Sequence, residues 1–184
     1  MLANQAANWF VSGEVPARLG NAHPNLAPYQ PFPTADGAVV IAVGNDGQFR
    51  ALCATLGDSS LGKDERFLTN AVRIEHRAAL TERLSALTRR RTSDHWMTAL
   101  EAAGVPCGPI NTIDRVFAEP QAQARGLVIS QAREDLPEPI RTVASPIRLS
   151  ETPVSYPSPP PELGADTRDV VETLLGHESR RGLV

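Results

Sequence analysis

The run Ala38-Val39-Val40-Ile41-Ala42-Val43 constrains this chain most. It is apolar on both faces and rich in β-branched residues, which predicts a buried strand over 38–44. Asp36-Gly37 supplies the turn that leads in, and Gly44-Asn45-Asp46-Gly47 leads out. Asn45 can accept from the free N–H groups of a helix start, and Gln48 stands three residues on, in capping-box spacing. A helix therefore begins near Asn45, with Phe49, Leu52, Cys53 and Leu56 on its inner face and Gly57 at its end. The strand-to-helix turn matches neither the dinucleotide pattern nor the P-loop, so it gives little support to a phosphate site. Asp36 reads as turn chemistry and Asp46 as first-turn helix stabilisation, not as catalytic carboxylates.

Helical periodicity continues downstream. Thr69 can cap a helix over 71–90, on which Leu80, Leu84 and Leu87 stack. Arg89, Arg90 and Arg91 gather at its C-terminal end, where the helix dipole favours cations, and read as a solvated helix end. Thr92 can cap the next helix, with Trp96, Ala99, Leu100 and Ala103 facing inward and Gly104 and Pro106 stopping it. Asn111 can cap a short helix carrying Ile113, Val116 and Phe117, ended by Pro120. Leu127 to Gln131 and Ile140 to Val143 predict two strands paired across Pro137-Glu138-Pro139. Ser150 to Pro161 is proline-rich and predicted extended. Asp166 or Thr167 then starts a last helix with Val170, Val171, Leu174 and Leu175 apolar. At the other end, Met1 to Phe10 reads as the end of a helix stopped by Gly13, with Leu2, Ala6 and Trp9 or Phe10 on one face.

These elements predict an α/β fold in three parts. Residues 1–29 are a helix end and a loop, 30–147 a small α/β domain, and 148–184 an extended Pro-rich arm ending in a short helix. At 184 residues the chain can form one ordinary domain plus an arm. A net charge of −3 argues against a nucleic-acid partner, which usually needs a basic face. No stretch approaches the roughly 20 apolar residues that cross a bilayer, so no membrane role is expected. No basic region precedes an apolar core at the start, so no secretion signal is expected either. Cys53 and Cys107 lack metal or redox spacing and suit a reducing cytoplasm, with no metal site implied.

The segment from Ser12 to Pro33 predicts a long loop punctuated by Gly and Pro. Its candidate functional residues are Gly20, Asn21, His23, Pro24, Asn25, Pro28 and Tyr29. Gly20 and Asn21 tolerate the positive φ of a tight bend. Pro24 and Pro28 stiffen the loop by fixing φ. His23 and Tyr29 offer polar tips. No carboxylate partner for His23 is identifiable, which favours a structural role over general-base catalysis. Cys107 has no adjacent base and reads as a packed thiol.

The loop, the Asp36-Gly37 turn and strand, Gly44-Asn45-Asp46-Gly47-Gln48-Phe49, and Val105-Pro106-Cys107-Gly108-Pro109-Ile110-Asn111 together resemble the family III CoA-transferases, the carnitine-CoA and formyl-CoA transferase superfamily. The resemblance implies that the chain is the C-terminal half only of such an enzyme, a truncated piece carrying the small α/β domain. It implies a loop over the active site that shields a reactive thioester from water. In that family an aspartate attacks an acyl-CoA, and anhydride and aspartyl-CoA intermediates pass CoA to a second acid. On this expectation the aspartate lies upstream, no catalytic residue is in the chain, and the chain alone is inactive. Its partners would be an N-terminal large domain, a second copy in an interlocked homodimer, and acyl-CoA and carboxylic-acid substrates. Succinyl-CoA is the donor suggested, and coenzyme A enters as substrate without another cofactor. Two alternatives stay open: an acyl-CoA racemase of the same fold, and a non-catalytic assembly domain.

Overall fold

Val39 and Ile41 have no exposed surface, because β2 (Ala38–Ala42) is the middle strand of a three-stranded antiparallel sheet. One face of the strand is fully buried and the other, carrying Ala38, Val40 and Ala42, is half covered. Its neighbours are β1 (Tyr29–Pro33), with Phe32 opposite Val39, and β3 (Cys107–Pro109), with Cys107 opposite Ile41. The computed structural model describes residues 2–175, and packing groups the chain into two units, Met1–Ile110 and Asn111–Val184. The division expected from sequence was 1–29, 30–147 and 148–184.

In the first unit, α1 (Ala3–Ser12) ends on Gly13, whose φ of 72° lets its N–H return to Trp9 O at 2.8 Å. β1 was not expected, since its residues fall inside the loop predicted over 12–33. Pro31 and Pro33 disguise it, and an edge strand tolerates them because no ladder N–H is required there. α2 (Asp46–Thr55) starts as the sequence predicts, with Asn45 Oδ1 accepting from Gln48 N–H at 2.9 Å. Gln48 Oε1 reaches back to the N–H of Gly44 at 2.8 Å. Phe49, Leu52, Cys53 and Leu56 are all buried.

Two short 3₁₀ turns, Leu61–Lys63 and Glu65–Phe67, follow, and Phe67 completes the core. The single helix predicted over 71–90 is two, α3 (Asn70–Glu75) and α4 (Arg77–Thr88), broken at His76 (φ −101°, ψ 24°). Thr69 occupies the cap position without a side-chain bond. Leu80, Leu84 and Leu87 are buried as expected. In α5 (Ser93–Ala102), Thr92 Oγ1 accepts from His95 N–H, and Trp96 and Leu100 are buried while Ala103, just beyond, is exposed. Thr88 joins three elements: its hydroxyl donates to Pro33 O at 2.6 Å, and its carbonyl accepts from Trp96 Nε1 at 2.6 Å.

In the second unit, α6 (Ile113–Ala118) follows Thr112 rather than Asn111, whose amide instead donates to Glu119 Oε1. Pro120 opens α7 (Pro120–Ala124) instead of only ending α6, since a first-turn position needs no N–H donor. β4 (Val128–Gln131) and β5 (Ile140–Val143) pair antiparallel, as predicted. Residues 144–166 contain no strand or helix. They are not a free strap: Gln131 Nε2 donates to Tyr156 O, Arg133 Nη1 to Pro160 O, and Ser145 N–H to the Tyr156 hydroxyl. The last helix, α8 (Thr167–Leu175), leaves Val170 and Leu174 exposed. Residues 176–184 of the predicted arm lie outside the described residues. No helix among the described residues is long and apolar enough to cross a membrane.

The Asp36 turn does more than bend the chain. Its Oδ1 accepts from the N–H and the hydroxyl of Ser93, at 2.8 and 3.0 Å, and from Thr34 Oγ1 at 3.0 Å. A carboxylate thus sits at the N-terminus of α5, and the Ser93 N–H above all lowers its pKa from the ordinary 3.8. A lowered folded-state pKa gives stability that is present above the unfolded value and fades as pH falls through the folded one. Asp36→Asn should therefore lower the urea midpoint at pH 6–7. The gap to the unaltered protein should narrow as pH falls below the ordinary carboxylate value of 3.8 and through the lowered folded-state value, in denaturation curves recorded across that range.

Candidate active-site loop

Seven residues of the loop were singled out by sequence, and the structure gathers most of them on one anchored segment, residues 23–29. Gly20 makes the bend, with φ 58°, while no non-glycine residue among those described adopts positive φ, Asn21 included. Beyond the bend, His23 N–H donates to Tyr29 O at 2.9 Å, closing the segment on itself. The imidazole stacks on the Tyr29 ring, centroids 5.1 Å apart and planes 21° from parallel. Val43 N–H donates to Pro28 O at 3.0 Å, tying the segment to the end of β2. The Ala27–Pro28 peptide is cis.

His23 is held by amides. Its Nδ1 accepts from Asn25 N–H at 3.1 Å, so the ring proton belongs on Nε2. Nε2 lies 3.2 Å from the Asn4 amide, which meets the proton with its oxygen when that amide is turned end for end. No carboxylate pairs with this ring among the described residues. The arrangement suits a fixed wall and does not suit a general base, which needs a free nitrogen. Asn25 is held too: its side-chain amide and that of Asn8 exchange two bonds, both 2.9 Å.

The other side of the segment is clamped by residues that sequence reasoning missed. Asn70 accepts from Ala27 N–H at 3.1 Å and donates to Asn25 O at 2.8 Å. Arg77 donates to Pro24 O at 3.1 Å and Leu26 O at 3.3 Å, and burial lowers its pKa from the ordinary arginine value. Arg73 has no exposed surface. It donates to Ala27 O at 2.6 Å, to Phe67 O at 2.9 Å and to Asp46 Oδ1 at 2.7 Å, and its guanidinium lies 4.5 Å from the Phe49 ring centroid. Burying a guanidinium costs several kcal/mol. Three charge-assisted bonds at about 1.5–3 kcal/mol each, with a cation–π contact, offset it. The only signal in the sequence was the spacing: Asn70, Arg73 and Arg77 fall at i, i+3 and i+7, and Asn4 and Asn8 at i and i+4, each set on one helix face. The break at His76 falls between the two arginines, so packing against the loop overrides the helix continuity the sequence implied.

Grooves of similar size occur in each unit. One, of about 610 Å³, is lined by Ile113, Phe117, Val128 and Val143 in the second unit. The other, of about 580 Å³, runs between α1 and the loop, and Asn8, Pro24 and Asn25 line it. Neither thiol is activated as a nucleophile. Burial pushes Cys53 up to about 12, and burial with the Glu101 charge raises Cys107.

Residues 1–167 match the family described as CoA-transferase family III. A succinate–glutarate CoA-transferase of Agrobacterium fabrum is 46% identical over 174 residues, 95% of this chain and 43% of that protein. A human succinyl-CoA:glutarate CoA-transferase is 34% identical over 179 residues, 97% of this chain and 41% of that protein. The crystal structure of a CAIB/BAIF family protein from Brucella suis superposes with a TM-score of 0.80 at 44% identity, over 95% of this chain and 44% of that one. The chain spans less than half the length of the curated relatives it matches. The family match nonetheless takes in nearly the whole chain. It corrects the expectation of a C-terminal half only, truncated, inactive and dependent on a separate N-terminal large domain. Where the chain begins is no ground for placing the aspartate outside it, and that expectation falls as well.

The clamp predicts a graded response. Arg73→Ala should cost about 2–5 kcal/mol, because it leaves the Ala27 and Phe67 carbonyls without donors and removes a fully packed side chain, while Asp46 keeps its access to water. Arg77→Ala should cost about 1 kcal/mol while raising hydrogen exchange at Asn25 to Ala27. Urea titration and exchange mass spectrometry separate the two effects.

Proposed function

Because the chain belongs to the CoA-transferase family III, we propose that the native protein carrying it moves CoA between an acyl-CoA, with succinyl-CoA as donor, and a dicarboxylic acid. The names of the two curated relatives support succinate and glutarate as the acid class. The observation that carries the proposal is the anchored segment 23–29, fixed to α1, α3 and α4 by side-chain hydrogen bonds along its length. Thioesters and acyl anhydrides hydrolyse readily, so an enzyme that holds one needs a wall that water cannot pass. On this proposal Gly20, Asn21, His23, Pro24, Asn25, Pro28 and Tyr29 form that wall. His23 and the Asn pairs keep it rigid. The Tyr29 hydroxyl has no partner among the described residues and is available to a substrate oxygen. On this proposal the chain from residue 148 to helix α8 acts as an arm, and α8 presents Val170 and Leu174 for docking. Two unpaired thiols fit a cytoplasmic setting.

The native protein should convert succinyl-CoA and glutarate into succinate and glutaryl-CoA, followed by chromatography of the CoA esters. Exchange of α-hydrogen for deuterium without any CoA passing between acids would replace this proposal with the racemase. Absence of both reactions would leave the assembly domain. Arg77→Ala should raise the ratio of thioester hydrolysis to transfer severalfold, because it loosens the wall from outside. An unchanged ratio would remove water exclusion as the segment's role.

A further inference from the structure

A dicarboxylic acid that takes up CoA keeps a second carboxylate outside the reaction. That charge loses water as the substrate enters, so it needs a cation placed to receive it. Between residues 2 and 35 the basic side chains are Arg18 and His23 alone. His23 is already committed, since its Nδ1 accepts from Asn25 N–H and its Nε2 faces Asn4. Arg73 and Arg77 reach the loop but spend their donors on Ala27, Phe67, Leu26 and Pro24 carbonyls and on Asp46. Arg18 is different. It is exposed and makes no ion pair or hydrogen bond among the described residues, not even with Glu14, the only acidic side chain of residues 2–35.

Its position adds to this. Arg18 lies in an exposed stretch bounded by Gly13 (φ 72°) and Gly20 (φ 58°), and at both glycines a Cβ would meet nothing within 4 Å. The stretch is held by few bonds, Glu14 N–H to Ser12 Oγ and Ala22 N–H to Leu19 O. Ala17 and Leu19 on either side line the groove beside α1, whereas Arg18 does not. A free guanidinium on lightly held backbone thus adjoins a wall that is firmly held. A planar fork of N–H donors matches a carboxylate in two parallel bonds, which an ammonium cannot do.

We infer that Arg18 is the specificity-determining residue that selects dicarboxylates, its guanidinium binding the carboxylate that does not exchange CoA. The inference rests on the proposed function. Its test uses Arg18→Gln and Arg18→Lys in the native protein that carries this chain. For each, kcat/KM is measured for glutarate and for pentanoate, which replaces one carboxylate with a methyl group. One acyl-CoA donor serves throughout, so any effect on the donor cancels in the ratio. Arg18→Gln should lower the glutarate-to-pentanoate ratio about 10- to 100-fold, the range of a lost charged hydrogen bond. Arg18→Lys should recover part of it, because charge returns without the fork. A ratio unchanged in Arg18→Gln would overturn the inference while leaving CoA transfer intact. Equal use of both acids by the unaltered protein would do the same. Absence of any CoA transfer in the unaltered protein would overturn the proposed function itself.

Discussion

The buried guanidinium of Arg73 is the interaction on which the first unit depends. It joins the loop through Ala27, the 3₁₀ turn through Phe67, and the first turn of α2 through Asp46, while its face covers Phe49. No apolar side chain could replace it, because those carbonyls would then be buried without donors. Asp46 remains 43% exposed, so the ion pair itself is partly screened, and the two carbonyl bonds carry most of the constraint. A loop of eight or more residues without regular structure would ordinarily sample many conformations. Here the charge cannot leave its site without severe cost, and the backbone it binds cannot leave either.

From that anchor follows a division within residues 12–29. Residues 23–28 have bonds on both flanks, to Asn4 and Asn8 on one side and to Asn70, Arg73 and Arg77 on the other. Residues 13–20 lie exposed between two glycines in the left-handed region. The two behaviours have one cause. Polar side chains are supplied densely to one stretch and withheld from the other, so order is local to the bonded part.

How much of this was legible in the sequence depends on the range of the interaction. The strand of Ala38–Ala42, the Asn45 cap and the leucine stripe of α4 are set by neighbours within a few residues, and all three were readable. β1 was not, because Pro31 and Pro33 mimic a loop unless the strand is known to be an edge. Pro120 was read as a stop when it is also a start, since proline suits the first turn as well as the position after the last. The loop residues were found by composition, but their anchors were not. Asn70, Arg73 and Arg77 bond to backbone 43 to 53 residues away, and a carbonyl partner leaves no mark in the sequence. Only side-chain partners do, and Asp46, the one such partner, already had an adequate local explanation as a first-turn acid.

The two cysteines bear on the proposed function from another direction. A thiolate attacks thioesters, so a reactive thiol near an acyl-CoA would capture the acyl group in a dead end. Cys53 is packed among the core residues of α2, and burial pushes it up to about 12, which leaves almost no thiolate at neutral pH. Cys107 lies on β3, half buried, with its thiol 3.9 Å from the Met97 carbonyl, and burial and Glu101 raise it as well. Each is therefore kept protonated by the packing that the strand and helix already require. The same desolvation that completes the core therefore suppresses the thiolate of both cysteines among the described residues.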